Sequence, residues 1–405
     1  MPAPVRPTQP AEARRGSSPR RIQIHSHDSF GLGHLRRSMT LAEALRAEFP
    51  EVSVLISTGS PCATSFGTPP GIDIVKLPSV TKDAGGRYVP RSLGGELDPL
   101  LRLRREILGQ LQRSYAPDVL IVDHQVLGLG EELDVVLREA RAQGTRTILG
   151  VRDIIDTPEV VLREWSRPRA LQALRHEYDR LCVYGDARVF DPRREYALPQ
   201  DIAARLELVG YVARPAPTRP SGPRARSVLV TVGGGEDGGV RIETFLDALE
   251  LGAVDFDSTV VLGPLLDPER ARSLKRRARD AERVHLQLFH ADLPHLLAGS
   301  DAVVGMAGYN TTVEVLQSRV PAVLCPRSFP RREQLLRAER LAELGLVECL
   351  PNPSAGELRR CLDRLLEAGP SQSPRPAMDG CARLAQVVRE LVAQPRSLAC
   401  GGHGS

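Results

Sequence analysis

Short apolar runs recur along the chain, each ending in a polar or small residue and leading into a turn or a helix. The first run, Ile22-Gln-Ile-His-Ser-His27, precedes a glycine-rich turn and a helix expected from about Leu35 to Phe49. Val52 to Ser57 and Ile72 to Leu77 read as the next strands. Gly85 to Gly95 reads as a loop rich in Gly, Arg and Ser, followed by a long amphipathic helix through Leu111. Asp118-Val-Leu-Ile-Val-Asp123 is a buried strand ending in a polar residue, and Thr147-Ile-Leu-Gly-Val151 is another, ending in Arg152-Asp153. Leu181-Cys-Val-Tyr184 and Leu206-Glu-Leu-Val209 complete this half. Strands alternating with helices at this spacing form βα units and a parallel sheet.

The plan restarts after Tyr211 to Arg226, a stretch containing Pro215, Pro217, Pro220 and Pro223 that reads as an interdomain linker. Val228-Leu-Val-Thr-Val232 opens the second half and runs into a glycine cluster. Thr259 to Leu262, His285 to Phe289, Ala302 to Gly305 and Ala322 to Cys325 are its further strands, and a final helix covers about Ala377 to Val392. The expected organisation is a basic tail over 1–20, a Rossmann-like domain over 21–210, the linker over 211–226, a second Rossmann-like domain with a closing helix over 227–395, and a loose tail over 396–405. The expected fold class is α/β, with two parallel sheets facing a cleft at the carboxyl ends of their strands, where ligands of open α/β folds bind.

Length agrees, because 405 residues exceed one ordinary α/β core. The chain is 41% hydrophobic and 26% charged, an ordinary globular balance. The net charge of +4 is carried almost wholly by Arg, since Lys occurs only at Lys76, Lys82 and Lys275. Guanidinium suits phosphate, being planar and permanently charged. A nucleic-acid partner is excluded: acidic residues are interspersed, and aromatics make up only 4%. Seven cysteines without short spacing favour neither a disulfide framework nor a zinc site, and no metal site is expected. Met1 to Arg21 lacks the apolar core of a secretory signal, so a cytoplasmic location is expected. Peripheral contact with a membrane surface is compatible with this composition; a membrane span is not.

Three motifs could carry chemistry. Phe30-Gly31-Leu-Gly33-His34-Leu-Arg36 follows the first strand and opens a helix. Its glycines permit close approach of a ligand, the helix start favours an anion, and His34 either acts as a base or caps locally. The run from Thr231 through Gly233, Gly234 and Gly235 to Gly239 fits neither GxGxxG nor a Walker loop. It is either a phosphate cradle or a flexible turn. Gly305-Met-Ala-Gly308-Tyr-Asn-Thr311-Thr-Val-Glu314 places a helix start beside a carboxylate one turn in. That arrangement suits a diphosphate and ribose hydroxyls, and equally a capping box. Asp28, Asp123, His124, Arg152 and Asp153 stand at other strand ends.

Together these residues resemble the MurG-like family of GT-B glycosyltransferases, over about Arg21 to Leu346. The segments concerned are Phe289-His290, Ala307-Gly308-Tyr-Asn-Thr311-Thr-Val-Glu314, Val320-Pro321-Ala322, Glu333-Gln334 and Val209-Gly-Tyr-Val-Ala-Arg214. The resemblance implies the GT-B fold and a nucleotide-sugar, UDP-linked, as co-substrate, with no other cofactor. It implies that Phe289 and His290 lie at the base, with His290 meeting uracil through its backbone. Gly308 and Thr311 would approach the diphosphate, Glu314 the ribose, Glu333 and Gln334 the donor sugar, and Arg214 a donor phosphate. Gly31, Gly33, Arg36, Arg152 and Asp153 fall on the acceptor side. Glu333-Gln334 replaces a Gln-Gln pair, which points to a sugar other than N-acetylglucosamine. The Phe30 to Arg37 segment, with Val151-Arg152-Asp153 and Tyr184-Gly-Asp186, is more similar to a bacterial group of predicted glycosyltransferases. The Gly-x-Gly-His turn also resembles the UDP-sugar hydrolase of pseudaminic acid synthesis.

The expected activity is therefore hexosyl transfer from a nucleotide-sugar to an acceptor hydroxyl of a glycan, lipid-linked or small molecule. His34 or Asp123 would serve as base, and no metal would be needed. The alternatives are a UDP-sugar hydrolase and a non-catalytic nucleotide-sugar-binding protein.

Overall fold

Two sheets, each with all its strands parallel, carry the chain. The computed structural model describes residues 18–27, 33–63, 67–83, 87–219, 222, 224–235, 237–279, 281–290 and 292–395. The strands of the first half are β1 (Arg21–Ser26), β2 (Ser53–Thr58), β3 (Ile72–Lys76), β4 (Val80–Lys82), β5 (Tyr88–Pro90), β6 (Val119–Asp123), β7 (Arg146–Arg152), β8 (Arg180–Tyr184) and β9 (Leu206–Leu208). Its helices are α1 (Gly33–Glu48), α2 (Leu97–Tyr115), α3 (Asp134–Gln143), α4 (Pro158–Trp165), α5 (Pro168–His176), α6 (Pro192–Glu195) and α7 (Gln200–Ala203). The second half has β10 (Arg226–Thr231), β11 (Phe256–Val261), β12 (Val284–Gln287), β13 (Ala302–Gly305), β14 (Ala322–Leu324) and β15 (Glu348–Cys349). With them are α8 (Gly239–Glu250), α9 (Pro268–Arg279), α10 (Leu293–Ala298), α11 (Tyr309–Ser318), α12 (Glu333–Glu343), α13 (Ala355–Ala368) and α14 (Gly380–Ala393).

The first sheet has the order β3-β2-β1-β6-β7-β8-β9 and the second β12-β11-β10-β13-β14-β15. Both reverse direction of winding once, between β1 and β6 and between β10 and β13. At such a reversal the connections leave to opposite sides, which opens a crevice beyond the strand ends. Ile24 pairs with Ile56 on one side and Ile121 on the other, and all five residues of β6 are buried. Helices cover both faces of the sheet, so its central strands are continuously apolar rather than alternating. The expected loop from Gly85 to Gly95 contains β5, which pairs antiparallel with β4. Val80, Leu100, Leu101 and Leu129 form a small core beneath that hairpin.

The linker region does not begin as a free tether. Tyr211 and Val212 are buried, and Val212 bridges Asp379. The closing helix α14 packs on α1 of the first domain, where Arg389 pairs with Glu48. Its Leu384, Val388 and Leu391 enter a core shared by both domains.

A buried polar pair also ties the domains together. Arg337 of α12 is fully buried and grips Asp153, beyond the end of β7, with Nη2 at 2.7 Å and Nε at 2.9 Å. Arg337 also donates to the carbonyls of Ala307 at 2.8 Å and Ile154 at 3.2 Å, and Tyr211 donates its hydroxyl to Asp153 at 3.0 Å. Burial works against the charge of Arg337, but Asp153 overcomes it and raises the guanidinium above its ordinary value. Removing one partner strands the other charge in the interior, which costs about 3–5 kcal/mol. Arg337→Met should lower unfolding stability by that amount in urea titration. The double variant Arg337→Met with Asp153→Leu should recover most of it, because no unpaired charge is left.

Candidate active site between the domains

The first domain contributes a histidine–aspartate pair at its switch point. Asp123 ends β6, and α1 begins at Gly33, so His34 occupies the first helical turn opposite it. His34 Nδ1 lies 2.5 Å from Asp123 Oδ2. Arg37, three residues along the same helix face, reaches Asp123 Oδ1 with Nη2 at 2.6 Å and Nε at 3.0 Å. Arg37 Nη2 also stands 3.0 Å from His34 Nδ1. Burial would raise the Asp123 carboxyl, but Arg37 and then His34 overcome it and lower it to about 2. An ionised carboxylate only accepts, so Nδ1 presents a proton to Asp123 and Nε2 is the ring nitrogen turned away from it. Asp123 thus orients the His34 ring.

Two further histidines surround this pair. The rings of His27 and His34 lie 5.7 Å apart, those of His34 and His124 5.1 Å, and those of His27 and His124 6.2 Å. His124 follows Asp123 with φ of 73°, a left-handed conformation that bends the chain away from the strand. Burial and the neighbouring His34 lower His27 from 6.5 to about 3. Burial and the neighbouring Arg152 lower His124 well below 6.5. Both are neutral near neutral pH.

The second domain presents the start of α11. Gly308 is its N-cap, with no side chain capping the helix. The capping-box alternative therefore gives way. Asn310 donates to the carbonyl of Gly33 at 2.9 Å, and Glu314 pairs with Arg36 at 3.1 Å, so both side chains cross the cleft. A side chain added at Gly308 would meet no described atom within 4 Å. Thr311 is buried on the same turn. Burial raises the Glu314 carboxyl, and Arg36 and Arg214 offset that only in part. Arg214 bonds Thr40 at 3.2 Å and lines, with Arg36, Asn310 and Glu314, a cavity of about 20 Å³. That volume suits a single water, and the Arg36–Glu314 pair stands on its wall.

Gly233 and Gly235 adopt φ of 65° and 95° in the turn after β10. A Cβ at Gly235 would stand 2.4 Å from the Leu262 carbonyl, so only glycine lets this turn lie against the next strand's end. Gly234 anchors the turn by accepting from the Leu265 amide at 2.8 Å. Phe289 is partly exposed after β12, and His290 Nδ1 accepts from the Asp292 amide at 3.1 Å. Glu333 and Gln334 open α12. Glu333 pairs with Arg327 at 2.9 Å, and Gln334 accepts from the Arg327 amide at 3.5 Å. Burial would raise Glu333, but Arg152 and Arg327 overcome it and lower it to about 2.

The structure thus gathers His34, Asp123, Gly33, Arg36, Arg214, Gly308, Thr311 and Glu314 around one crevice. It puts Arg36, expected on the acceptor side, directly on Glu314. It uses Asp153 as the interdomain anchor rather than as a group free to meet an acceptor. Gly31 lies outside the described residues. Arg37, Arg327 and Arg337 were not singled out from sequence, because isolated arginines in an Arg-rich chain carry no signal. His27 had one, its place just beyond a strand end. Among the described residues no group of His, Cys, Asp and Glu could hold a metal ion, and no helix is long and apolar enough to cross a membrane.

Residues 228–390 match the family model of the glycosyltransferase family 28 C-terminal domain. Solved structures align over nearly the whole chain. MurG of Acinetobacter baumannii aligns over 92% of this chain and 99% of its own, with 15% identity and a TM-score of 0.54. The chain has the GT-B fold. The glycosyltransferase SnogD from Streptomyces nogalater aligns over 93% and 96%, with 18% identity and a TM-score of 0.57. A putative UDP-N-acetylglucosamine 2-epimerase from Listeria monocytogenes aligns over 93% and 98%, with 17% identity and a TM-score of 0.61. No curated protein matches in sequence. Identities this low establish the fold, and one fold hosts several chemistries. The activity of this chain therefore has to be argued from its site.

The neutral histidines make stability depend on pH. The unfolded chain protonates His27 below about 6.5, and the folded protein does so only near 3. Stability is therefore complete above 6.5 and falls as the pH drops through this window. Each such histidine contributes a slope of about 1.4 kcal/mol per pH unit. Urea titrations between pH 6 and pH 4.5 should show the loss, and His27→Asn should lessen its slope by about one proton's worth.

Proposed function

We propose that this protein is a glycosyltransferase moving a hexosyl group from a nucleotide-sugar, UDP-linked, to an acceptor hydroxyl in the cytoplasm. The observation that carries the reading is the His34–Asp123 pair facing the uncapped start of α11 across the cleft. The helix start supplies backbone N–H groups and a positive dipole end for a diphosphate. Glu314 supplies the carboxylate for a ribose diol once Arg36 leaves it, and Arg214 lines the same crevice.

In the proposed step His34 Nε2 takes the acceptor's hydroxyl proton, and the oxygen forms a bond to the anomeric carbon. The bond from that carbon to the diphosphate oxygen breaks, and the leaving group carries away the electron pair. Asp123 stabilises the imidazolium so formed. Arg214 and the α11 start meet the charge that develops on the diphosphate, so this step calls on no divalent cation.

The matching domain family and the GT-B relatives support glycosyl transfer in general. The hydrolase alternative uses the same base with water as acceptor. Thermal-shift measurements with UDP, GDP, dTDP, CMP and their sugar conjugates test the donor site. UDP or a UDP-sugar should raise the wild-type midpoint by mass action and fail to do so for Glu314→Ala. No shift from any nucleotide at millimolar concentration would sink the donor-site reading. His34→Ala should keep nucleotide binding and lose turnover by about 10²- to 10⁴-fold. Free sugar released at the same rate with and without acceptor would assign hydrolysis instead.

A further inference from the structure

The second domain holds a cavity of its own, beyond the carboxyl ends of β14 and β15. Its volume is about 80 Å³, against about 20 Å³ for the one beside Arg36. Three parts of the chain enclose it. The first turns of α8 bring Val240, Arg241 and Thr244. The residue after β14 is Cys325, and the loop from β15 into α13 brings Asn352, with Leu358 of α13 behind it. α8 and α13 pack side by side over the second sheet. Ser354 opens α13 with a reciprocal capping box, so Asn352 stays outside the helix and lines the cavity. None of these residues belongs to the group gathered around the crevice between the domains.

Arg241 supplies the charge of this cavity. Its Nη2 donates to the carbonyls of Pro326 at 3.0 Å and Pro351 at 3.2 Å, and to Asn352 Oδ1 at 3.2 Å. All three acceptors are neutral. Arg241 Nε is buried with no hydrogen-bond partner among the described residues. Arg270 and Arg277 also reach α8, but they pair there with Glu243 and with Asp247 and Glu250. Arg241 has no such carboxylate among the described residues. Burial pushes the Cys325 thiol up to about 12, so it stays protonated and provides no anion either. A buried N–H without a partner loses water and gains nothing. Water alone fits the space poorly. At about 10–15 Å³ each, roughly five to eight waters would fill it, and each needs about three polar partners. Val240 and Leu358 offer none.

We propose that this cavity binds a small monocarboxylate with a short apolar body. The carboxylate accepts from Arg241 Nε and from the amide nitrogen of Asn352, whose oxygen is already turned to Arg241. The carbon body lies against Val240 and Leu358 and removes apolar surface from water. A single cation lines the cavity, which balances one negative charge and leaves a phosphate dianion one charge over. A nucleotide is too large for the space. The occupant is therefore a ligand other than the proposed co-substrate, and it binds whether or not the donor-site reading holds.

The test is a set of thermal-shift and calorimetric titrations of the full chain with isobutyrate, isobutyramide, inorganic phosphate and chloride at matched ionic strength. Isobutyrate at about 100 times its dissociation constant should raise the wild-type melting midpoint by about 2–5 °C. Isobutyramide has the same shape without the charge and should bind about 10-fold more weakly. Hydrogen exchange with isobutyrate present should slow over residues 239–246 and 350–358. Arg241→Met should abolish binding, but it also removes the bonds to Pro326, Pro351 and Asn352 and so puts folding at risk. Thr244→Met fills the cavity from the opposite wall and leaves those bonds in place. Circular dichroism should show this variant folded, and the isobutyrate shift should be gone. No wild-type shift from isobutyrate at tens of millimolar, or an equal shift from chloride or phosphate, would overturn the proposal. So would isobutyramide binding as tightly as isobutyrate, or a shift that persists unchanged in Thr244→Met.

Discussion

The buried pair between Arg337 and Asp153 sets the geometry on which the cleft depends. It joins the second domain's α12 to the end of the first domain's β7 with no exposure to solvent on either side. Because both charges are out of water, neither can be released cheaply, and the helix is held in one register against the strand. Tyr211 adds its hydroxyl to the same carboxylate, so the chain's crossing point between domains is tied to the same spot. Glu333, Gln334 and Arg327 take their places as a consequence. The pair thus acts more as a locator than as a source of stability, in keeping with the small net contribution of buried ion pairs compared with apolar packing.

The opposite side of the cleft is joined by weaker contacts. Arg36 with Glu314, and Asn310 with the Gly33 carbonyl, are single bonds at partly exposed positions. Parting them costs far less than opening the Arg337 clamp. This asymmetry defines a hinge side and a mouth side. In the proposed function a nucleotide enters at the mouth, where Arg36 and Glu314 hold the two domains together. Closure without ligand and closure on ligand then compete for the same side chains.

Both sheets contribute to the site through the same topological device. Each reverses its winding next to its first strand, and the crevice at that reversal receives His34, Asp123 and His124 on one side and Gly233–Gly235 and Gly308 on the other. The polar residues there depart from the pattern of the strands that carry them. His124 takes a left-handed backbone, and His124 Nδ1, Arg152 Nε, Glu314 Oε2 and Glu333 Oε2 are buried with no hydrogen-bond partner among the described residues. Such departures gather where a ligand, not the protein, completes the bonding.

The apolar runs and glycine turns determined much by themselves. Strand length and spacing dictate βα units, because a run such as Val119–Asp123 can be buried on both faces only inside a covered parallel sheet. The repeat of the plan after the proline-rich stretch dictates two such domains, and the positions of His34, Asp123, Gly308 and Glu314 beside strand ends or helix starts were legible for the same reason. Their pairing was not. That Asp123 orients His34 instead of competing with it, that Arg36 rests on Glu314, and that Asp153 anchors α12 all depend on residues 89 to 278 positions apart in sequence. Periodicity reports which face of an element is apolar, but it carries no information about which polar side chain of a distant element will stand opposite. The same holds for α14, whose amphipathic pattern demanded an apolar partner without naming it, and whose place on α1 was decided only when the two domains closed on each other.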